Sequence, residues 1–400
     1  MPGSRLGDVA PTRRHPQIRV VAIIAVSCDT TGPGSLFQRF DRAQALTLGL
    51  EEELLLVDRE DALSARAADL LAALSDPAQF HSELSPGQIE IVSGIHLQAG
   101  DAVGDLARGR RRAIDALNGE ARLVGLAAHP VCDRLVAVSP GPRYASIQRR
   151  FRWAAMRAGL AGGLHIHLGV PGADRLLAVY NALRGYMPEV AALAAAAPYF
   201  AGQDSGLASI RPKLADALPR QGVAPPLPNW AAFAEMLAWG ARTGAFLDRA
   251  ELWWECRLHP GFGTIEVRAP DVQAAIADVE VIATLVHALV RELAGRHAAG
   301  DQLPAHEAFA ISENRWRAAT DGVEGELIDL ERMRLAPARE RIRTLITRVA
   351  DHAVSDRESR ALERGLGRLD DPHPRRQRAL AARGGVAALI AGIADTTEAV

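Results

Sequence analysis

Thr47-Leu48-Gly49-Leu50-Glu51-Glu52-Glu53-Leu54-Leu55-Leu56-Val57 is the stretch whose reading decides the fold class. In a β-strand, side chains at i and i+2 share a face. Glu51 and Glu53 then project together, with Leu48, Leu50, Leu54 and Leu56 on the opposite side. Two carboxylates side by side repel each other unless a cation sits between them. Glu52 falls among the leucines, where it needs an arginine partner or the strand end.

Four further stretches alternate in the same way. Glu90 opposes Ile89 and Ile91 in 88–92, and in 164–170 His165 and His167 share one face and aliphatics the other. In 254–259 the polar face is Glu255, Arg257 and His259, and in 264–269 it is Thr264, Glu266 and Arg268. Clean alternation favours an antiparallel sheet with one packed and one open face. Acids, imidazoles and guanidiniums on the open face suit metal-bound polyphosphate better than plain solvent.

The chain has 400 residues and a formal net charge of -2, enough for a sizeable core and without a pull toward nucleic acid or an anionic membrane. Lys213 is its one lysine, and no G-x-x-x-x-G-K-[ST] occurs, so a P-loop is excluded and any nucleotide is held differently. Cys28, Cys132 and Cys256 lie far apart and form no C-x-x-C, which fits a reducing cytoplasm. No apolar run approaches the roughly 20 residues of a membrane span. The nearest candidate, Val20 to Val26, follows three arginines and resembles a short signal h-region or part of a non-core extension.

Residues 1–44 read as a mostly unstructured extension and 45–400 as one interwoven domain. The pattern predicts helices over 61–75, from an Asp101 N-cap to Leu117, over 144–160, from Asp174 to a break at Pro188, over 229–244 and over 272–297. The prolines of 219–228 predict an ordered loop or lid, and beyond Asp271 the chain reads as helical almost to its end.

Each motif has a bland counterpart. Glu51 and Glu53 also suit a charged edge strand, and Glu266 with Arg268 suits a cross-strand ion pair. Trp253 and Trp254 read as packing rather than as a base-stacking platform. Five such faces in one chain are far less readily coincidental than one.

In order, Gly49-Leu50-Glu51-Glu52-Glu53-Leu54, Gly163 to Val170, Asp204 to Arg211, Trp253-Trp254-Glu255-Cys256-Arg257, Gly263 to Arg268 and Asn314-Arg315-Trp316-Arg317-Ala318 resemble the bacterial type 2 glutamate–cysteine ligase family of ATP-dependent carboxylate–amine ligases. The resemblance runs from about residue 46 to the C-terminus. It implies an α+β fold related to glutamine synthetase, a curved antiparallel sheet cradle wrapped by helices. It implies ATP with Mg²⁺ or Mn²⁺, and small-molecule acid and amine substrates for which glutamate and cysteine are placeholders. It leaves a homodimer open.

By the same resemblance Glu51 and Glu53 ligate magnesium, Glu83 and Glu90 complete the cation shell, and Glu266 is shared between cations. His165 is a metal ligand or a nucleotide contact. Arg268 holds the γ-phosphate, and with Glu53 it is the catalytic candidate. Arg211, Arg257 and His167 are assigned to the substrates, with Arg211 on a carboxylate. The chain departs from the family pattern at Glu255, where an aspartate is usual, at Leu258, where a proline is usual, and at Ala194 to Ala197, where serine and asparagine are usual.

Two rival readings remain. A zinc-dependent hydrolase would use His165 and His167 with a third ligand from His129, His259 or Glu90. A non-catalytic nucleotide-binding regulator would keep the fold alone.

Overall fold

The computed structural model describes residues 32–135, 137–246 and 251–400. The Val20–Val26 run and Cys28 lie outside the described residues. The elements in chain order are α1 (Pro33–Phe40), β1 (Thr47–Val57), α2 (Ala67–Leu74), β2 (Phe80–Ser82), β3 (Gln88–Val92), α3 (Ala99–Leu117), β4 (Arg122–Val124), α4 (Pro142–Phe151), α5 (Trp153–Ala158), β5 (Leu164–Gly169), α6 (Ala173–Leu183) and α7 (Met187–Ala194). There follow β6 (Tyr199–Phe200), β7 (Gln203–Asp204), α8 (Arg211–Ala215), α9 (Trp230–Thr243), β8 (Cys256–His259), β9 (Thr264–Val267), α10 (Ile276–Ala298), α11 (Ala308–Asp321), β10 (Glu326–Asp329), β11 (Arg334–Pro337), α12 (Ala338–Val349), α13 (Asp356–Arg368) and α14 (His373–Glu398).

The alternating stretches assemble into one seven-stranded sheet in the order β2-β3-β1-β5-β9-β8, with β4 beside the second half of β1. Every pairing is antiparallel. The apolar face of the sheet packs on α3 and α10, and α10 is buried along nearly its whole length. On the polar face, the far end of β1 is covered. Leu55 and Val57 pack with Val124 and Leu126 against Leu389, Ile390 and Ile393 of α14. The polar face therefore stays open at Glu51 and Glu53. Glu52 lies on the apolar side, fully buried, and Arg110 of α3 grips both of its oxygens at 2.9 and 2.7 Å.

Several boundaries differ from the sequence reading. Residues 33–40 are not an unstructured extension: α1 buries Leu36 and Phe40, and Phe40 stacks on Trp230 at 4.9 Å. The helix expected over 61–75 starts only at Ala67, because Ser64 returns a backbone bond to Leu56. Gln98 rather than Asp101 caps α3, and Asp101 sits in its first turn. Arg152, at φ 50°, divides the helix expected over 144–160. Pro188 opens α7 instead of ending a helix, as suits a residue without an N–H. The hairpin β10–β11 interrupts the helical C-terminal region; its strands are too short for alternation to reveal. One described helix, α14, is long and apolar enough to cross a membrane. Its backbone is non-helical at Gly384 and Gly385, so neither part reaches that length unbroken.

Candidate active site

Sheet register brings the polar residues together. Glu90 sits opposite Glu53 on β1 and opposite His81 on β2. Glu51 sits opposite His165. His167 sits opposite Glu266, and Glu266 opposite Arg257. Directly opposed Cβ atoms lie only about 5 Å apart, so each pair becomes a contact.

Three groups of side chains place potential ligand atoms within 4.8 Å of one another: Glu51, His167 and Glu266; Glu51, Glu90 and His165; and Glu53, Glu83 and Glu90. Glu51 links the first to the second and Glu90 the second to the third, so the groups form a row across the sheet. The row contains Glu83, which comes from the β2–β3 turn. It also contains His167, which the sequence reading gave to a substrate. No group among the described residues holds both histidines. That separates the pair a zinc hydrolase would need. His129, one of its third-ligand candidates, is instead buried, its Nδ1 accepting from the Val131 and Cys132 amides.

The electrostatics differ along the row. At one end Glu266 is doubly paired: Arg257 forks onto both its oxygens at 2.8 and 3.0 Å, and Arg268 Nη1 lies 2.6 Å away. Burial alone would raise the Glu266 pKa, but the two guanidiniums hold it well below the usual range. Burial likewise opposes ionisation of Glu51, and His167 with the bonds from both histidines outweighs it. At the other end, burial and then Glu53 and Glu90 push Glu83 well up, and burial with Glu51 and Glu53 does the same to Glu90. Three carboxylates with too little positive charge form an oxygen-rich set suited to a hard divalent cation.

The histidines also divide. Burial, then Arg268, lowers the His165 pKa, so this imidazole is neutral and able to donate a lone pair. Its Nε2 is buried without a hydrogen-bond partner, 3.7 Å from Glu53 Oε1. For His167 the lowering effect of burial is overcome by Glu51 and Glu266. Its Nε2 lies 3.1 Å from Glu51 and its Nδ1 3.0 Å from Thr264 Oγ1.

A cleft opens beside the carboxylate-rich end, lined by Glu53 and Glu83, by Arg143, Tyr144 and Ile147 of α4, by Arg211, and by Arg268. Gly163 permits the close packing there. A Cβ on it would lie 2.2 Å from Arg211 Nη2, and its N–H donates to Glu53 Oε2 at 2.7 Å. Arg211 is not a solvated loop charge: it is buried at the start of α8, with Nη1 and Nη2 donating to the Ala269 and Arg268 carbonyls. Its Nε has no protein partner.

Two sequence assignments move. Arg257 braces Glu266 and donates from Nη1 to the Leu252 carbonyl, so the structure spends it on the protein rather than on a substrate. Glu255, expected on the cluster face, lies before β8 and pairs with Arg315 at 2.6 Å. Arg315 in turn holds Asp216, while the neighbouring Asn314 brackets the backbone of Ile328. The 314–318 motif is therefore a brace between the cleft wall and the β10–β11 hairpin. Arg143 and Tyr144 were missed; one arginine among the chain's many carries no sequence signal of its own.

The family model for glutamate–cysteine ligase family 2 matches residues 47–391. This chain belongs to that family. It is 33% identical over 317 residues to a Thermobifida fusca (strain YX) protein provisionally named glutamate–cysteine ligase 2, covering 77% of this chain and 79% of the relative. A Mycobacterium sp. (strain KMS) protein provisionally named glutamate–cysteine ligase 2-2 is 34% identical over 362 residues, covering 88% and 99%. The fold is similar to glutamate–cysteine ligase from Francisella tularensis in complex with AMP, at a TM-score of 0.64 and 13% identity over 89% of each chain. It is also similar to a bifunctional glutathione synthetase from Pasteurella multocida, at a TM-score of 0.63 and 13% identity over 91% of this chain and 53% of that one. Family membership makes this chain an ATP-dependent ligase that forms a C–N bond, and the hydrolase and regulator readings are not favoured.

Proposed function

We propose that this member of glutamate–cysteine ligase family 2 joins a small carboxylic acid to a small amine through an acyl phosphate, with glutamate and cysteine as the first pair to try. The observation that carries this reading is the shared row of carboxylates and imidazoles that runs from Glu266 to the cleft, with Arg268 beside it. Glu51, Glu53, Glu83, Glu90, His165, His167 and Glu266 are the residues that would hold Mg²⁺ or Mn²⁺. The orphaned His165 Nε2 and the mutually repelling carboxylates fit such an ion. A divalent ion held there would neutralise charge on the phosphate oxygens.

The protein's own groups then have distinct tasks. Burial would lower the Arg268 pKa, but Glu266 and Glu53 raise it further still, so the guanidinium is permanently charged. Arg268 stabilises the equatorial oxygens of the transferring phosphoryl group. The acid's carboxylate oxygen attacks the γ-phosphorus, the bond to the β-phosphate oxygen breaks, and ADP leaves. The amine nitrogen then attacks the acyl carbon, phosphate departs and the amine loses a proton. Arg211 and Arg143 at the cleft wall match the negative charge of the acid substrate. Holding the acid beside the row makes the first step effectively unimolecular.

ADP release should require an acid substrate and a divalent ion, and hydroxylamine added with the acid should yield a hydroxamate from the trapped acyl phosphate. Turnover that survives EDTA unchanged, or that proceeds without any acid, would overturn the reading.

A further inference from the structure

The cleft beside the row is lined by two unlike kinds of surface. α4 brings Arg143 to it and then, one turn on, Ile147. α8 brings Arg211 and then Pro212, and Leu218 lines it just after that helix. Trp253, three residues before β8, completes the apolar part. Phe151, the last residue of α4, meets the indole edge-on at 5.5 Å. The indole therefore stands at the end of α4 opposite Arg143, about 12 Å away along the helix axis. It is fixed there, because the Arg220 guanidinium lies over it at 5.7 Å and Arg220 Nε donates to the Glu251 carbonyl at 3.0 Å.

Most charges around the cleft are already satisfied. Arg315 places Nε on Glu255 at 2.6 Å, and its Nη1 and Nη2 on the two oxygens of Asp216 at 2.9 and 2.7 Å. Arg268 is tied to Glu266. Among the described lining residues, Arg143 and the orphaned Nε of Arg211 are left to receive a substrate anion. The acid substrate enters as an anion and claims them. The amine must arrive differently, since it attacks through a neutral nitrogen lone pair. Apolar walls penalise an ammonium more than a neutral amine and so favour the reactive form. A carboxylate on the amine substrate would leave water with no guanidinium to meet it, which is costly.

We propose that the amine substrate is a primary amine with an apolar alkyl or aryl body and no carboxylate of its own, seated against Ile147, Leu218 and Trp253 while the acid occupies Arg143 and Arg211. The inference rests on the ligase reading and narrows it, because it sets cysteine aside as the amine. A pocket of apolar walls with a few polar groups at one end is the usual design for fixing the orientation of a small ligand.

Hydroxamate formation by the full chain with Mg-ATP, hydroxylamine and a panel of carboxylic acids first fixes the acid. With that acid saturating, kcat/KM is compared for three amines: phenethylamine, ethanolamine, which has a hydroxyl in place of the ring, and phenylalanine, which adds a carboxylate. Phenethylamine should exceed ethanolamine about tenfold or more, since burying a ring is worth at least that much. It should exceed phenylalanine by a similar factor, the cost of an unpaired buried charge. Trp253→Ala should narrow the gap between phenethylamine and ethanolamine to about threefold or less, and Trp253→Phe should keep most of it. Equal use of phenethylamine and ethanolamine, a preference for phenylalanine, or an unchanged gap in Trp253→Ala would overturn the proposal. A panel in which no acid yields a hydroxamate would remove the ligase reading as well. Hydroxamate from some acid, with no amide from phenethylamine, would remove the proposal alone.

Discussion

Glu52 and Glu53 are adjacent on β1, yet one is held in a complete ion pair and the other in an incomplete cluster. Glu52 is fully buried on the apolar side, and Arg110 meets both its oxygens while also donating to the Gln273 and Ala274 carbonyls. Glu53 faces the other way, toward Glu83 and Glu90, with one amide bond from Gly163 and His165 Nε2 3.7 Å away in place of a forked guanidinium. The difference teaches how to separate a structural charge from a functional one. A structural charge is satisfied by the protein itself; a functional one is left for a ligand to satisfy.

The largest expected effect lies on the functional side. Glu53→Gln keeps an oxygen for the Gly163 amide but removes a charge partner for a cation. ATP turnover should fall about 10⁴-fold, roughly 5 kcal/mol in barrier height. The melting temperature should hold or rise, because a like-charge repulsion is relieved. A large fall in stability instead would show that Glu53 belongs with Glu52.

On the structural side, Glu52→Ala leaves Arg110 charged, buried and unpaired. It should cost about 3–5 kcal/mol of stability. Chemical denaturation would show the loss as a shifted midpoint, with activity retained in whatever fraction stays folded. A midpoint within about 0.5 kcal/mol of wild type would mean that the carbonyls of residues 273 and 274 suffice for Arg110.

The two glutamates also mark what could be read from sequence. Alternation alone placed Glu51 and Glu53 on one face and set Glu52 among leucines, where it needed an arginine or the strand end. That this arginine is Arg110 could not be read, because the pairing spans 58 residues between two elements. The strands and most long helices were legible for the same reason: period 2 and period 3.6 are local properties. Register is not local. Nothing in 88–92 says that Glu90 will oppose Glu53 rather than Glu51, and the division of the two histidines between different groups follows from the registers of β5 with β1 and β9. Arg257 shows the converse error: its place on a polar face looked functional, and its partner across the strand is Glu266. Helix α1 was missed because its Leu36 and Phe40 form too short a pattern to stand out from a Pro- and Gly-rich segment.

A smaller effect separates buried neutral groups from the charged row. Burial, then Arg291, lowers the His287 pKa to about 4, and burial, partly opposed by Asp278, does the same for His373. Both lie away from the site. Between pH 6.5 and 4 the unfolded chain binds more protons at these positions than the folded one, so stability rises with pH there and falls on acidification. Lowering the pH from 7 to 5 should cost about 2 kcal/mol for each of the two histidines. Denaturation midpoints at the two pH values read it, and His287→Gln should flatten the dependence. Identical slopes in wild type and variant would take His287 out of the account.

Arg211 gives the smallest effect and the finest test of the distinction, because it stands between the two classes. Two of its nitrogens serve the protein through the Ala269 and Arg268 carbonyls, while Nε is buried without a partner at the cleft wall. Were it wholly structural, its loss would disturb the backbone of Arg268 and weaken ATP and acid together. Were it a substrate group braced by those carbonyls, the acid alone would suffer. Arg211→Lys keeps the charge and loses the planar fork. The expected result is a rise of about tenfold in KM for the acid, ~1.4 kcal/mol, with KM for ATP changed by less than about twofold. A parallel rise in both constants would place Arg211 beside Glu52, as a charge that the protein keeps for itself.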